Sequence, residues 1–324
     1  MAQPPSWFAC LLLLLVATGG AGLGAAPRLE LKTGDVVAFV GGANMAAAAE
    51  SGHLEAILSA RFPGRQIRYR NLAWEADTVH AQPRDFNFPG LTNLLSRFEA
   101  RVVFIAFGQA ESLEGESRLG AFRESLARLA GGIATGGREV LLVTPVPFET
   151  PGGVMRDLRP LNSSLARYAE AIADLGRERA WRVVDLFTRL RQRPPGAASL
   201  TSDGMHLTPR GEAVAARVFA QELGWDPVDA GFSEPSEGGV WTDPRWEGLR
   251  QAVVAKNRLW FDYWRPMNWA FLGGDRTEQP SSRDHRDPKI RWFPAEMERF
   301  QPLIYSAEAR IDSLAGALAT PPTP

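Results

Sequence analysis

Cysteine is nearly absent: Cys10 is the single one in 324 residues. It lies inside an apolar N-terminal run, so a chain that loses that run holds no thiol. That excludes a disulfide, a cysteine metal site and a cysteine nucleophile. An excess of basic charge is missing as well. The 36 Lys and Arg meet 37 Asp and Glu for a net charge of −1, so nothing in the balance attracts nucleic acid or an anionic membrane. Lysine is confined to positions 32, 256 and 289, and arginine supplies nearly all the positive charge. His53, His80 and His285 are scattered, with no second histidine or acidic partner at metal-ligand spacing. The glycine pairs at 41–42, 131–132, 136–137, 152–153 and 273–274 form no phosphate-binding fingerprint. Neither a metal nor another cofactor is expected. No apolar run reaches the roughly 20 residues of a membrane span.

What is present is the composition of a soluble globular protein, with one domain of ordinary size and an appendage. Residues 1–26 contain no Asp, Glu, Lys or Arg, and an apolar run from Phe8 to Ala17 precedes small residues from Gly19 to Ala26. The run fits the hydrophobic region of a signal peptide, with cleavage near Ala25 or Ala26. An exported protein, periplasmic or extracellular, is expected.

From residue 35 to 223, short β-branched runs alternate with helical stretches. Strands are predicted at Asp35–Val40, Gln66–Asn71, Val102–Phe107, Glu139–Thr144 and Trp181–Leu186. Helices are predicted at Ala47–Arg61, Leu91–Phe98, Arg118–Thr135, Arg159–Arg177 and Pro209–Leu223. Continuous apolar runs such as Val102–Phe107 suit strands buried on both faces. The alternation predicts an α/β protein with a parallel sheet between two helical layers. Such sheets place their sites at the carboxyl ends of the strands, here residues 41–44, 72–78 and 108–112. The α/β domain should span 30–225, followed by a linker loop over 226–245 and a Trp-rich helical extension over 246–319. A disordered tail is expected over 320–324.

Four blocks follow the strands in order. They are Gly41-Gly42-Ala43-Asn44, then Asn71-Leu72-Ala73-Trp74-Glu75-Ala76-Asp77-Thr78, then Gly108-Gln109-Ala110-Glu111, and finally Asp203-Gly204-Met205-His206. Over residues 35–223 this order resembles the SGNH (GDSL-like) hydrolase family. The resemblance implies a flavodoxin-like, doubly wound sheet of about five strands in the order 2-1-3-4-5. It also implies that His206 is a general base oriented by Asp203, and that the substrates are esters, such as acetyl groups on carbohydrates. The nucleophile is the departure. Gly42 and Ala43 stand where the family has Asp and Ser, and Ala76 and Ala110 stand where it has the Gly and Asn that bind the oxyanion.

Acyl transfer needs a nucleophile within reach of its base and donors aimed at the developing oxyanion, each worth roughly 10²–10³ in rate. Ordinary serine esterase activity is therefore not expected. Three readings follow. A water activated by His206 could attack the ester, with Glu111 assisting. The old cleft could instead bind a glycan or peptide without chemistry, using Asn44, Trp74, Asp77 or Gln109. Or the chain could serve as a structural component of an exported complex. An alanine at position 76 also raises the question of strain, if that position needs a left-handed backbone. The six tryptophans at 241, 246, 260, 264, 269 and 292 could form a sugar-stacking platform or pack against the core.

Overall fold

Six consecutive buried residues, Val36 to Gly41, form β1 (Val36–Gly41) at the centre of the molecule. The computed structural model describes residues 29–152, 154–194, 196–227 and 232–319. The expected signal segment, with Cys10, and the expected tail 320–324 lie outside those residues. Around β1 stand β2 (Arg68–Asn71), β3 (Val102–Ala106), β4 (Glu139–Val143) and β5 (Arg182–Val184). All neighbours are parallel and the order is β2-β1-β3-β4-β5, the doubly wound sheet expected. Alternate residues of β1 serve opposite cores, as the two-residue strand period requires. Val37 and Phe39 face one cluster, and Val36, Ala38 and Val40 face the other.

The first layer holds α1 (Ala43–Ser51), α2 (His53–Arg61) and α7 (Pro209–Glu222). The second holds α3 (Leu91–Arg97), α4 (Leu119–Thr135) and α5 (Asn162–Arg179). A short α6 (Leu186–Arg191) follows β5 and was not foreseen. The single helix expected over Ala47–Arg61 is two helices. Gly52 sits between them at φ +72, and its N–H closes α1 on the Ala48 carbonyl. A left-handed residue ends a helix, and glycine adopts that backbone without strain.

The extension contributes α8 (Pro244–Trp264), α9 (Trp269–Leu272), α10 (Trp292–Glu298) and α11 (Phe300–Ala319). The first of these wraps the free edge of the sheet. Its amino-terminal half gives Trp246, Leu249 and Val253 to one core cluster, and its carboxyl half gives Trp260 and Trp264 to the other. Between them, Lys256 Nζ donates to the Tyr69 carbonyl at 3.2 Å and Trp260 Nε1 donates to the Asn71 carbonyl at 2.9 Å. An edge strand leaves every second carbonyl unpaired and open to another chain. On β2, side chains of α8 occupy two of them. Trp241, Trp246, Trp260 and Trp264 are all buried, so these four pack rather than present a stacking face.

His53 marks where the extension meets α2. Its ring lies edge-on to Trp241 with centroids 4.9 Å apart. Burial first, then the Arg250 charge, lower its pKa from 6.5 to about 3, against the opposing pull of Glu247 and the Pro209 carbonyl. The unfolded chain therefore takes up this proton before the folded one does. Stability from a neutral His53 is complete above pH 6.5 and is lost as pH falls toward 3. Thermal unfolding followed across that range should show a falling Tm, and His53→Phe should flatten the fall. An unchanged slope in the variant would assign the acid sensitivity to other groups.

Candidate active site

The ends of β1, β2 and β3 and the loop before α7 converge on one cleft, because parallel strands deliver their carboxyl ends to one edge of the sheet. Gly41 closes β1 where a Cβ would meet the Ala106 carbonyl at 2.5 Å, so only glycine fits against β3. Ala43 then begins α1. The N–H groups of Ala43, Asn44 and Met45 precede the first intrahelical bond, which runs from Ala46 to the Gly42 carbonyl. No side chain caps them. They leave a cluster of donors and the positive end of a helix at Ala43, the position that the resemblance assigns to a nucleophile.

The dyad is intact. His206 Nδ1 lies 2.6 Å from Asp203 Oδ2, and Asp203 Oδ1 accepts the N–H groups of Met205 and His206 at 2.9 and 2.8 Å. Burial alone would raise the Asp203 carboxyl, but the His206 N–H, the imidazole and the Met205 N–H together hold it at about 2. An ionised carboxylate only accepts, so Nδ1 carries the proton and Nε2 is left as the acceptor. Nε2 has no partner among the described residues and the ring is about half exposed. Gly204 allows the turn: it sits at φ +91, and a Cβ there would meet the Glu149 carbonyl at 2.8 Å.

Most of the other predicted site residues are hydrogen-bonded into this arrangement, and Asn44, Asp77, Gln109 and Glu111 also line the cleft. Asn44 Nδ2 donates to Gln109 Oε1 and the Met205 carbonyl at 3.0 and 3.1 Å, while its Oδ1 accepts the Leu207 N–H at 3.1 Å. Gln109 Nε2 donates to the carbonyls of Val146 and Met205 at 2.9 and 3.2 Å. These two side chains tie both flanks of His206 to α1 and to the loop after β3. Glu111, expected to assist His206, is buried and staples two loops: its oxygens accept Val79 N–H and Gly108 N–H, both at 2.7 Å. Asp77 is held by both terminal nitrogens of Arg84 at 2.6 and 2.7 Å. The Trp74 ring carries the guanidinium groups of Arg265 and Arg84, 3.6 and 4.2 Å from its centroid. As a stacking face it is already in use.

The alanines settle two questions. Ala76 is not among the residues with a left-handed backbone, which are Gln66, Asn87, Glu99 and Ala180 apart from glycines. Alanine is therefore unstrained there, and its N–H has no partner among the described residues. Ala110, exposed at the cleft, offers no side-chain donor. Ser112 and Ser51 are both engaged elsewhere. Ser112 is buried with its Oγ on the Gln109 carbonyl at 2.7 Å, and Ser51 bonds the Ala48 carbonyl at the far end of α1.

The sequence analysis missed Glu149 and Glu212. Glu149 Oε2 accepts the N–H groups of Leu200 and Thr201 at 2.6 and 3.1 Å and the Ser199 hydroxyl at 2.7 Å. It fixes the strand of chain that leads into Asp203, a pairing across some fifty positions that no local pattern encodes. Glu212 does leave a trace. It falls on the apolar stripe of α7 with Ala215, Ala216 and Phe219, all buried, where a carboxylate is out of place.

The sequence pattern of the GDSL-like lipase/acylhydrolase family matches residues 22–214. The chain belongs to this family. Its fold is similar to that of a gut microbial diltiazem-metabolizing enzyme, at 11% identity and a TM-score of 0.59 over 91% of this chain and 96% of that one. A catalytic mutant of an acetylxylan esterase from Geobacillus stearothermophilus is 18% identical, with a TM-score of 0.44 over 61% of this chain and 98% of that one. A lipase/acylhydrolase from Enterococcus faecalis is 17% identical, with a TM-score of 0.46 over 59% and 96%. No curated protein matches the chain. No described helix is long and apolar enough to cross a membrane, and the described residues hold no cluster of metal-ligating side chains. In this family member His206 and Asp203 are bonded to each other, and Ala43 opens the helix that follows β1.

Proposed function

We propose that this GDSL-family protein hydrolyses acyl esters through a water molecule activated by His206, and that it works outside the cytoplasm on substrates such as acetylated carbohydrates. The observation that carries the reading is the preorganised dyad: Asp203 is held at about 2 and pinned to His206, whose Nε2 points to no protein partner. His206 Nε2 takes a proton from water as the water oxygen bonds the ester carbonyl carbon. The carbonyl electrons move onto its oxygen, where the N–H groups at the start of α1 stabilise the charge. Collapse expels the alkoxide, which recovers the proton from His206 and leaves as the alcohol. Asn44 and Gln109 keep the imidazole in place throughout and touch no reacting atom.

Hydrolysis of small acetyl esters, acetylated oligosaccharides included, is the test. Turnover is expected to fall roughly 10²–10⁴-fold in His206→Ala, the usual worth of a general base. Turnover that survives the change would remove the reading and leave the cleft as a binding site.

A further inference from the structure

A cavity of about 180 Å³ opens beside Ala43, Ala110 and His206 and reaches inward to Leu54, Phe219 and Glu212. Its walls are mostly apolar. Glu212 is the exception at the inner end: it is 6% exposed, and its Oε1 is buried with no hydrogen-bond partner among the described residues. The other carboxylates on the lining are all engaged, Glu111 by two backbone N–H groups, Asp77 by Arg84 and Glu75 by Arg265. A buried polar group without a partner costs stability, and such groups are rare in folded proteins. Here that carboxyl lines the same space as His206. Burial, reinforced by the charge of Glu50, pushes its pKa up to about 8, so at neutral pH it is a carboxylic acid with a proton to donate.

We infer that this cavity receives the acyl part of the ligand and that Glu212 hydrogen-bonds an uncharged oxygen at the far end of that acyl group. An apolar space of about 150 Å³ takes one benzene molecule, so the volume suits a chain of about six heavy atoms. The class is a short acyl group ending in a hydroxyl or a carbonyl. Gly42, Ala43 and Ala110 line the mouth, so the positions that lack the family's larger side chains are the positions through which such a group would enter. The assignment takes its orientation from the hydrolase reading, with the ester carbonyl at His206, but the binding itself needs no turnover.

Two amides that cannot be turned over as esters separate the cases. N-methyl-5-hydroxypentanamide and N-methylhexanamide have the same heavy-atom count and differ in one terminal oxygen. Calorimetric titration of the full chain should show roughly tenfold tighter binding of the hydroxy amide, the usual worth of one buried hydrogen bond that is otherwise left unmade. Glu212→Gln keeps a donor and should keep the preference. Glu212→Leu should reverse it, binding the hexanamide more tightly, with an unchanged or higher Tm. Equal affinity for the two amides in the parent, a preference that survives Glu212→Leu, or no binding of either would overturn the assignment. So would tighter binding of N-methyl-6-aminohexanamide, which would make the ligand a cation. Binding that follows Glu212 in a protein without esterase turnover would overturn the hydrolase reading alone.

Discussion

Ala43→Ser should raise the rate of acetyl ester hydrolysis by roughly 10³-fold over the parent. Removing the serine of a complete triad costs about 10⁶. This site would regain its nucleophile but still lack the side-chain donor at Ala110, itself worth roughly 10²–10³. The remaining gain depends on parts already in place. Ala43 is the first residue of α1, where unpaired N–H groups cluster. His206 lines the same cleft, with its ring fixed by Asp203 and its neighbours Met205 and Leu207 held by Asn44. Adding Ala110→Asn to the variant should contribute a further factor of that size. Burst kinetics would follow, because a serine forms an acyl-enzyme and a water does not. A variant no faster than the parent would mean that the dyad is not aligned with position 43.

Lys256→Ala should destabilise the protein by about 3–5 kcal/mol, the cost of breaking a buried ion pair from one side. Lys256 is fully buried in a chain that otherwise uses arginine almost everywhere. Its Nζ lies 2.7 and 2.9 Å from the two oxygens of Glu55 and 3.2 Å from the Tyr69 carbonyl. Truncation strands a carboxylate in the core and reopens one carbonyl on the sheet edge. Replacing both partners with apolar residues, Lys256→Met with Glu55→Leu, should recover most of that loss. Urea unfolding of the three chains measures both effects. Equal losses in the single and double variants would show that packing, not the ion pair, holds α8 to the edge.

How much of this was legible follows the range of the interactions. The central strands β1 and β3 are continuous apolar runs, which a buried parallel sheet demands, whereas the edge strand β2 reads Arg68-Tyr69-Arg70-Asn71; the four blocks, as their order suggested, meet around one cleft. The dyad was legible because its two residues are three apart in one loop. The break at Gly52 was not, since helical periodicity continues on both sides of it. Asn44 and Gln109 were expected as ligand contacts from their motif positions, and both line the cleft. Their hydrogen bonds to Met205 and Leu207 were not legible, because those partners are brought to them only by the fold. The same holds for Lys256, paired with Glu55 and Tyr69 across about two hundred residues. Trp246, Trp260 and Trp264 could have stacked on sugars or packed, and only the path of α8 around β2 decided between the two.

The most direct measurement is a rate comparison between the parent chain and His206→Ala on one acetyl ester, with the quenched reaction examined by mass spectrometry. The account requires turnover in the parent, its loss in the variant at an unchanged Tm, and no acetylated protein in either. Turnover that persists without His206, or an acetyl adduct on the parent chain, would contradict a water activated by the dyad.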